Sequence, residues 1–356
     1  MNYRVASILP SEAANTATTK PIDLNFADPI SRITVQFKGL NNGNAATGHP
    51  AKMLPKIEVV DGSDVMFSLS GLEGQALNYY DKGYMPHNVL NYIDEVKAIA
   101  TVDLDFGRYL WDPVYALDPK KFTNPQLKIT HNLALGGSIP DAGELSVFGH
   151  IFDQKTVTPT GFLMSKEQYS YTLEAGAKEH VDLATDYPYR KILLQSLSDT
   201  LQPFEQYNKI KLSEDNDRKV VINDERVSDL LKLLRMHPRF HEMIMAYIGV
   251  ETEVYYCTVS YEKIATVTGV AAVGTAYVND TYGPSVSVTD GTGSGIILID
   301  VNGTCPHNTL CLPFGLQDDP EDWYMMDALG SLKLTLTAGG SASGSCEIIS
   351  QQLRSY

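Results

Sequence analysis

His237 and His241 stand four residues apart in His237-Pro238-Arg239-Phe240-His241-Glu242, the spacing at which two imidazoles on one helix face can grip a metal. The order is not the H-E-x-x-H of a metalloprotease, and Pro238 breaks a helix between the rings, so the pair reads as linker histidines. Asp318-Asp319-Pro320-Glu321-Asp322 gathers acidic side chains but lacks the alternating ligands and the glycine of an EF-hand loop. Asp319 ahead of Pro320 is instead the start signal of a capped helix. Cys305 and Cys311 bracket either a short disulfide loop or half a metal site, yet no second Cys/His pair stands at zinc spacing. These two, with Cys257 and Cys346, read as buried or free thiols. Asn279-Asp280-Thr281 and Asn302-Gly303-Thr304 match the glycosylation acceptor, which matters only in a host able to use it. There is no G-x-S-x-G, no phosphate loop and no dinucleotide fingerprint. No catalytic, cofactor-binding or metal-ligating residue is therefore assigned, and no cofactor is expected. A glycosidase carboxylate pair stays open, because scattered carboxylates are many.

With chemistry unassigned, organisation carries the argument, and the chain says one thing twice. Phe106-Gly107, Asp112-Pro113, Ala116-Leu117, Leu127-Lys128-Ile129-Thr130 and Gly136-Gly137-Ser138 follow one another in the first half. Phe314-Gly315, Asp319-Pro320, Ala328-Leu329, Leu332-Lys333-Leu334-Thr335 and Gly339-Gly340-Ser341 repeat the order, offset by about 205 residues. Each copy closes on a β-like run, Leu145 to Phe148 and Cys346 to Ile349. A period this long is not a solenoid repeat; it is one domain used twice.

The strands are visible as alternation. Ile33, Val35 and Phe37 alternate with Thr34 and Gln36, and Val102, Leu104 and Phe106 with Asp103 and Asp105. Leu127/Ile129, Tyr169/Tyr171/Leu173, Val286/Val288 and Leu332/Leu334/Leu336 keep the same period of two, that of half-buried antiparallel strands. Asn41-Asn42-Gly43, Asp61-Gly62, Asp290-Gly291 and Gly339-Gly340 supply turns between such runs. Helices are few. Ser70 with Glu73 makes a capping box ahead of Leu72, Ala76, Leu77 and Tyr80. Asp112-Pro113 and Asp319-Pro320 each predict a short helix, with Trp111 and Trp323 packed beside them. Val227, Leu230, Leu231 and Leu234 predict a helix capped at Asn223 or Asp224, and Phe240, Met243, Ile244 and Tyr247 a second one ended by Gly249. Together these make a helical hairpin over about 224–248. The segments Gly39 to Lys56 and Ala265 to Gly295 read as long polar loops at the end of a sandwich.

A length of 356 residues suits two domains. The net charge of −15 argues against wrapping nucleic acid, which needs clustered Lys and Arg. No run reaches a membrane-spanning length, and Met1 to Lys20 has no secretory pattern, so synthesis in the host cytoplasm is expected. That stretch offers little to bury and reads as an extended or disordered arm that adds little to a single subunit and much to assembly.

Two all-β domains of roughly eight strands, carrying the doubled Phe-Gly, Asp-Pro, Leu-Lys-x-Thr and Gly-Gly-Ser series, resemble the double jelly-roll major capsid proteins. Those belong to tailless icosahedral viruses, many of them lipid-containing. The run Val59-Val60-Asp61-Gly62-Ser63 to Tyr84-Met85-Pro86 adds to the resemblance, which covers almost the whole chain. It implies two tandem eight-stranded jelly-roll sandwiches, with short helices after a late strand and the hairpin inserted in the second. The expected division is an arm at 1–20, a first jelly roll at 21–158 and a second at 159–356. The resemblance also implies a non-enzymatic major capsid protein, of a bacteriophage or similar virus, trimerising into pseudo-hexameric capsomers of an icosahedral virion shell. Its implied partners are its own copies, neighbouring capsomers, penton and minor capsid proteins, and an internal membrane met through the arm, with no direct nucleic acid. The alternative is a two-jelly-roll carbohydrate-active enzyme or carbohydrate-binding protein, which needs carboxylates and aromatics converging in a cleft.

Overall fold

A computed structural model describes residues 3–153, 157–249, 252–269, 275–278, 283–289 and 294–356. The first half runs Tyr3–Ala13 (β1), Thr18–Asp23 (β2), Ile30–Leu40 (β3), Lys56–Asp61 (β4), Asp64–Leu69 (β5) and helix Gly71–Lys82 (α1). Leu90–Tyr92 (β6), Lys97–Asp105 (β7), Pro125–His131 (β8) and Ala142–Phe152 (β9) complete it. The alternation does what it predicts: Ile33, Val35 and Phe37 are fully buried while Thr34 and Gln36 stay half-exposed. Two sheets result, ordered β1-β9-β3-β7 and β2-β8-β4-β5, with an apolar core between them.

The second half opens with Gly161–Thr172 (β10), Lys178–Leu183 (β11), Tyr189–Leu197 (β12), the turn of helix Pro203–Gln206 (α2), Tyr207–Glu214 (β13) and Lys219–Arg226 (β14). Helix Val227–Leu233 (α3) and six strands follow: Phe240–Ile248 (β15), Thr252–Tyr256 (β16), Tyr261–Gly269 (β17), Thr275–Val278 (β18), Ser285–Thr289 (β19) and Gly295–Thr304 (β20). Thr309–Pro313 (β21), Leu332–Ala338 (β22) and Ser345–Ser355 (β23) close the chain. Its sandwich sheets are β10-β23-β12-β21 and β11-β22-β13-β14. Substituting β10 for β1, and so on in order to β23 for β9, reproduces the pairing of the first half strand for strand. Leu127–Thr130 on β8 and Leu332–Thr335 on β22 are thus equivalent, as are the Phe-Gly pairs after β7 and β21 and the Gly-Gly-Ser runs before β9 and β23. The fold is a double jelly roll.

The halves are joined by pairing. β5 meets β10 in parallel, Phe67 opposite Ser165 and Ser68 opposite Lys166, so two four-stranded sheets fuse into one of eight. Both insertions fall at the same topological point, between β5 and β7 and between β14 and β21, and they meet as well. β6 of the first adds in parallel to β15 of the second, completing the five-stranded sheet β18-β17-β20-β15-β6.

Four expectations are corrected. The described part of the expected arm at 1–20 is not free: Tyr3 to Ala13 form β1, paired along β9, and Thr18 to Asp23 form β2 on β8. Their polar composition reflects an edge strand, whose outer face stays wet while Ala6, Ile8 and Leu9 lie against the core. The helical hairpin is half right. α3 exists, but 240–248 is strand β15, and β14 runs through Asn223 and Asp224. Phe240, Ile244, Ala246 and Ile248 are buried and Met243 and Met245 exposed, a period of two that the helical reading of Phe240, Met243, Ile244 and Tyr247 obscured. Asp112-Pro113 starts no helix; Asp118 instead caps a 3-10 turn at Pro119–Lys121, and Asp319 caps one at Pro320–Asp322. The segment Gly39 to Lys56 is no exposed loop, since Asn41, His49, Ala51 and Met53 are buried in it, and 265–295 carries strands β17, β18 and β19. The capping box is as read, Ser70 and Glu73 bonding reciprocally at the start of α1.

The edge-strand assignment makes a prediction. Removing residues 1–13 uncovers β9 and half-buried Ile8 and Leu9, which costs about 2 to 4 kcal/mol and lowers the melting temperature by roughly 5 °C. Unchanged melting would restore the free arm.

Candidate functional site: the seam between the jelly rolls

Helix α1 lies between the two sandwiches, and Gly71 through Tyr80 are all buried. A helix buried all round must satisfy its polar side chains inside the protein. Toward the first half, Asn78 Nδ2 donates to Asp103 O at 2.6 Å and Asn78 Oδ1 accepts from Asp103 N at 2.9 Å, so the side chain covers edge strand β7 as a neighbouring strand would. Gln75 Nε2 donates to Thr101 O at 2.9 Å on the same strand.

Toward the second half, Asp81 accepts from Arg190 Nη1 at 2.8 Å, from Lys191 Nζ at 2.7 Å and from Gln351 Nε2 at 3.0 Å. Arg190 and Lys191 are among the largest fully buried side chains described. Arg190 and Lys191 are successive residues of β12 and would point to opposite faces of a regular strand, but a register shift between Tyr189 and Lys191 interrupts the alternation there, and both side chains reach Asp81. Burial works against the Asp81 charge, but Lys191 and Arg190 overcome it and hold the carboxyl below the usual carboxylate range. Two cations share one anion, and the rest of the satisfaction comes from carbonyls: Tyr80 O takes Lys191 at 2.9 Å and Gln317 O takes Arg190 at 2.9 Å.

At the middle of α1 two buried imidazoles stack edge-to-face, His49 and His307, with ring centroids 4.6 Å apart. Ala51 N donates to His49 Nδ1 at 3.1 Å, so His49 Nε2 donates to Thr258 Oγ1 at 3.0 Å. His307 Nε2 stands 3.0 Å from Gln75 Oε1, which accepts from it. Burial, with Lys52 adding to it, depresses His49 to about 3, and burial with His49 nearby takes His307 well below its ordinary value. The pair is neutral near pH 7. An unfolded histidine gains its proton near 6.5 while folded His49 resists until about 3, so this pair withdraws stability as pH falls across that window. His307 sits in left-handed backbone with Cys305 and Asn308, a strained strap at the end of the second insertion. A cavity of about 360 Å³ opens beside the histidines, walled by Leu54, Leu72, Leu135, Tyr256 and Cys257.

The residues singled out by sequence go elsewhere. His237 Nε2 lies 3.2 Å from Tyr80 O, while exposed His241 faces Asp300 at 3.1 Å across β15 and β20. Glu242 turns its carboxylate to the backbone N–H of Thr258 and Val259, at 2.7 and 3.1 Å. The structure does not bring the two histidines to a common ligand. All four cysteines are buried and free. Asn302 stands half-buried in β20 between β15 and β17, not in a loop, and Asn279 lies outside the described residues. Trp323 is buried, its Nε1 donating to Leu316 O at 2.9 Å, and Trp111 packs on Tyr3 and Phe152. The seam itself went unread, because Asp81, Arg190, His49 and His307 are far apart in sequence and follow no motif. Outside it, the exposed face of the inserted sheet carries Met243, Met245, Ile296 and Leu298, an apolar surface of the kind that mediates contacts.

No protein-family model matches the sequence, and no curated protein matches it. Solved structures do. The chain is similar over 99% of its length to the major capsid protein P2 of bacteriophage PM2, with TM-score 0.58, 11% identity and 98% of that chain covered. It is similar over the same share to the STIV MCP, with TM-score 0.57, 12% identity and 97% covered. PBCV-1 VP54, fitted into a reconstruction of the virophage Sputnik, gives TM-score 0.61 at 12% identity with 94% covered. The shared property is the double jelly-roll fold.

Two predictions follow from the seam's electrostatics. Asp81→Ala leaves two buried cations unpaired and costs about 3 to 5 kcal/mol by chemical denaturation; a loss under about 1 kcal/mol would mean water already reaches them. Imidazole nitrogen shifts of His49 and His307 stay at their neutral values from pH 7 to about pH 5, and a titration near 6.5 would show that the strap opens in the native state.

Proposed function

We propose that this chain is the major capsid protein of a tailless icosahedral virus, of the lipid-containing kind, and acts as a structural protein of the virion and not as an enzyme. The observation that carries the reading is the strand-for-strand duplication of one jelly roll, fused through β5 and β10 into a single block. Whole-length similarity in fold to solved capsid proteins supports it. In this reading the first jelly roll ends near residue 158 and the second begins near 159. Two like domains in each of three chains approximate six-fold symmetry, so a homotrimer supplies the pseudo-hexagonal tile that covers an icosahedral lattice. Its partners are then its own copies, neighbouring capsomers, and penton and minor capsid proteins. The acidic balance favours a shell whose inner face meets a membrane and not naked genome. Contact with that membrane no longer rests on a free arm, because β1 occupies Tyr3 to Ala13. A bacteriophage host and cytoplasmic synthesis before assembly belong to the same reading.

The carbohydrate-active alternative asks the tryptophans to line a cleft. Trp111, in the loop after β7, instead packs on Tyr3 of β1 and Phe152 of β9, and Trp323, in the loop after β21, is buried with its Nε1 bonded to Leu316 O. Size-exclusion chromatography with light scattering is the direct test. A stable species at three times 39.2 kDa, yielding hexagonal arrays or closed particles by negative-stain imaging, is the expected outcome. A clean monomer at all concentrations would overturn the proposal.

A further inference from the structure

At the N-terminal end of α1, three buried side-chain oxygens have no hydrogen-bond partner among the described residues: Glu73 Oε1, Gln195 Oε1 and Glu347 Oε2. Glu73 is 3% exposed, Gln195 0% and Glu347 8%. All three residues line one recess of about 170 Å³, together with Glu167. Exposed Lys56 and Leu197 stand at its rim. The fold assembles it from four elements. Gln195 on β12 and Glu347 on β23 are direct cross-strand partners, a bulge after Glu167 interrupts β10, and α1 brings Glu73 from the other jelly roll.

Glu73 already uses its second oxygen, which accepts from Ser70 N at 2.6 Å in the capping box. Burial first, and then the charges of Glu167 and Glu347, push the Glu73 carboxyl up to about 7. Burial and Glu167 do the same to Glu347, also to about 7. Above about pH 7 both carboxyls therefore give up their protons in a recess whose one lining cation, among the described residues, is exposed Lys56. The charged residues that line it are Lys56 on β4, Glu73 on α1, Glu167 on β10 and Glu347 on β23. Lys56 Nζ is turned to Glu58, 3.8 Å away, and its side chain is about half exposed. Buried carboxylates with open lone pairs call for either a proton or a cation.

The donors are all oxygens, which selects a hard cation. Among the described residues no three carboxylates, imidazoles or thiolates gather closely enough to enclose a bare ion. A magnesium-type ion needs no such cage, since it keeps several waters and is held through one or two carboxylates. A recess of about 170 Å³ has room for the ion and part of its water shell.

We propose that this recess seats one hydrated divalent cation of the magnesium type, held through Glu73 Oε1 and Glu347 Oε2. Gln195 Oε1 and Glu167 take hydrogen bonds from its water. The ion ties the helix of the first jelly roll to the sheet of the second. The inference is independent of the assembly reading, because it concerns the seam within one chain.

The test is calorimetric melting of the full-length protein at about pH 8, in millimolar MgCl2 against KCl of equal ionic strength. Magnesium raises the melting temperature by about 2 °C, and the rise disappears near pH 5, where protons occupy both carboxyls. Glu347→Gln raises the melting temperature at pH 8 without magnesium and abolishes the magnesium response. The sign follows from the raised folded values. Glu73 and Glu347 contribute stability that is complete below about 4.5 and lost as pH rises through about 7. His49 and His307 act in the opposite direction at lower pH, so the difference between wild type and variant isolates the carboxyls.

Equal melting in MgCl2 and KCl would overturn the proposal, as would a full magnesium response retained by Glu347→Gln, which would place the ion elsewhere on the acidic surface. Isothermal titration of the wild type supplies a measurement free of any variant. One magnesium per chain is expected, and no saturable binding by the wild type would also overturn the site. A larger shift with CaCl2 than with MgCl2 would mean that the recess prefers a larger ion with more protein ligands and would overturn the magnesium-type assignment.

Discussion

Everything in this structure depends on one helix being buried on every side. Surface helices hide a stripe and leave the rest to water, but α1 hides Glu73, Gln75 and Asn78 along with Leu77 and Tyr79. Such a helix is stable only if both neighbours are shaped and polar in the right places. Gly71 and Gly74 show how close the approach is: a side chain at Gly71 would meet the Ala51 carbonyl, and one at Gly74 would meet Val102. The polar groups then divide their attention. Gln75 and Asn78 complete the hydrogen bonding of edge strand β7, while Tyr80 OH reaches Thr309 O at 2.8 Å and Asp81 anchors β12. The helix belongs to the first jelly roll by sequence and to both by energetics.

The repeated words of the sequence are the residues that each jelly roll needs at the same places. Gly107 and Gly315 follow equivalent strands, and at each the loop curls back so far that a Cβ would strike it, at Asp112 and Asp322 respectively. Those two carboxylates also accept from the N–H just after the glycine, Arg108 at 3.1 Å and Leu316 at 2.6 Å. Asp322, and not Asp319 of the matching Asp-Pro pair, thus does in the second half what Asp112 does in the first. Gly136 and Gly339 press on the backbone of His49 and Glu205, each in the connection between the third and fourth strands of its own sandwich. These are steric requirements of one topology met twice, so the words survive where the sequence between them has drifted.

That division explains what could be read in advance. Strands with one wet face announce themselves by period two, and β3, β7, β8 and β22 were legible residue by residue. The capping box at Ser70 and Glu73 was legible because it is local. Edge strand β1 was not, since its polar face and sparse apolar residues imitate an unstructured arm. β15 was not, because Phe240, Met243, Ile244 and Tyr247 satisfy a helical spacing while Phe240, Ile244, Ala246 and Ile248 satisfy a strand, and only pairing with β20 and β6 decides between them. The seam was illegible for a different reason. Asp81 with Arg190, His49 with His307, and Glu73 with Glu347 are each brought together by the fold across long stretches of chain, and no local pattern encodes such a meeting.

The seam also has a consequence for what a doubled domain can do. Joining two sandwiches through β5 and β10 alone would leave a hinge, because Phe67–Ser165 and Ser68–Lys166 are its only register pairs. The second tie, β6 on β15, lies in the insertions, and α1 runs between the two sandwiches. Apolar contact could fill the space between them but would tolerate sliding, whereas a shared carboxylate does not. Asp81 satisfies Arg190, Lys191 and Gln351 in one arrangement, and a small shift strands two cations in a low-dielectric interior. Buried ion pairs add little net stability, so their physical value here is register. Two similar domains held at a fixed spacing depend on that register more than on a few further kcal/mol.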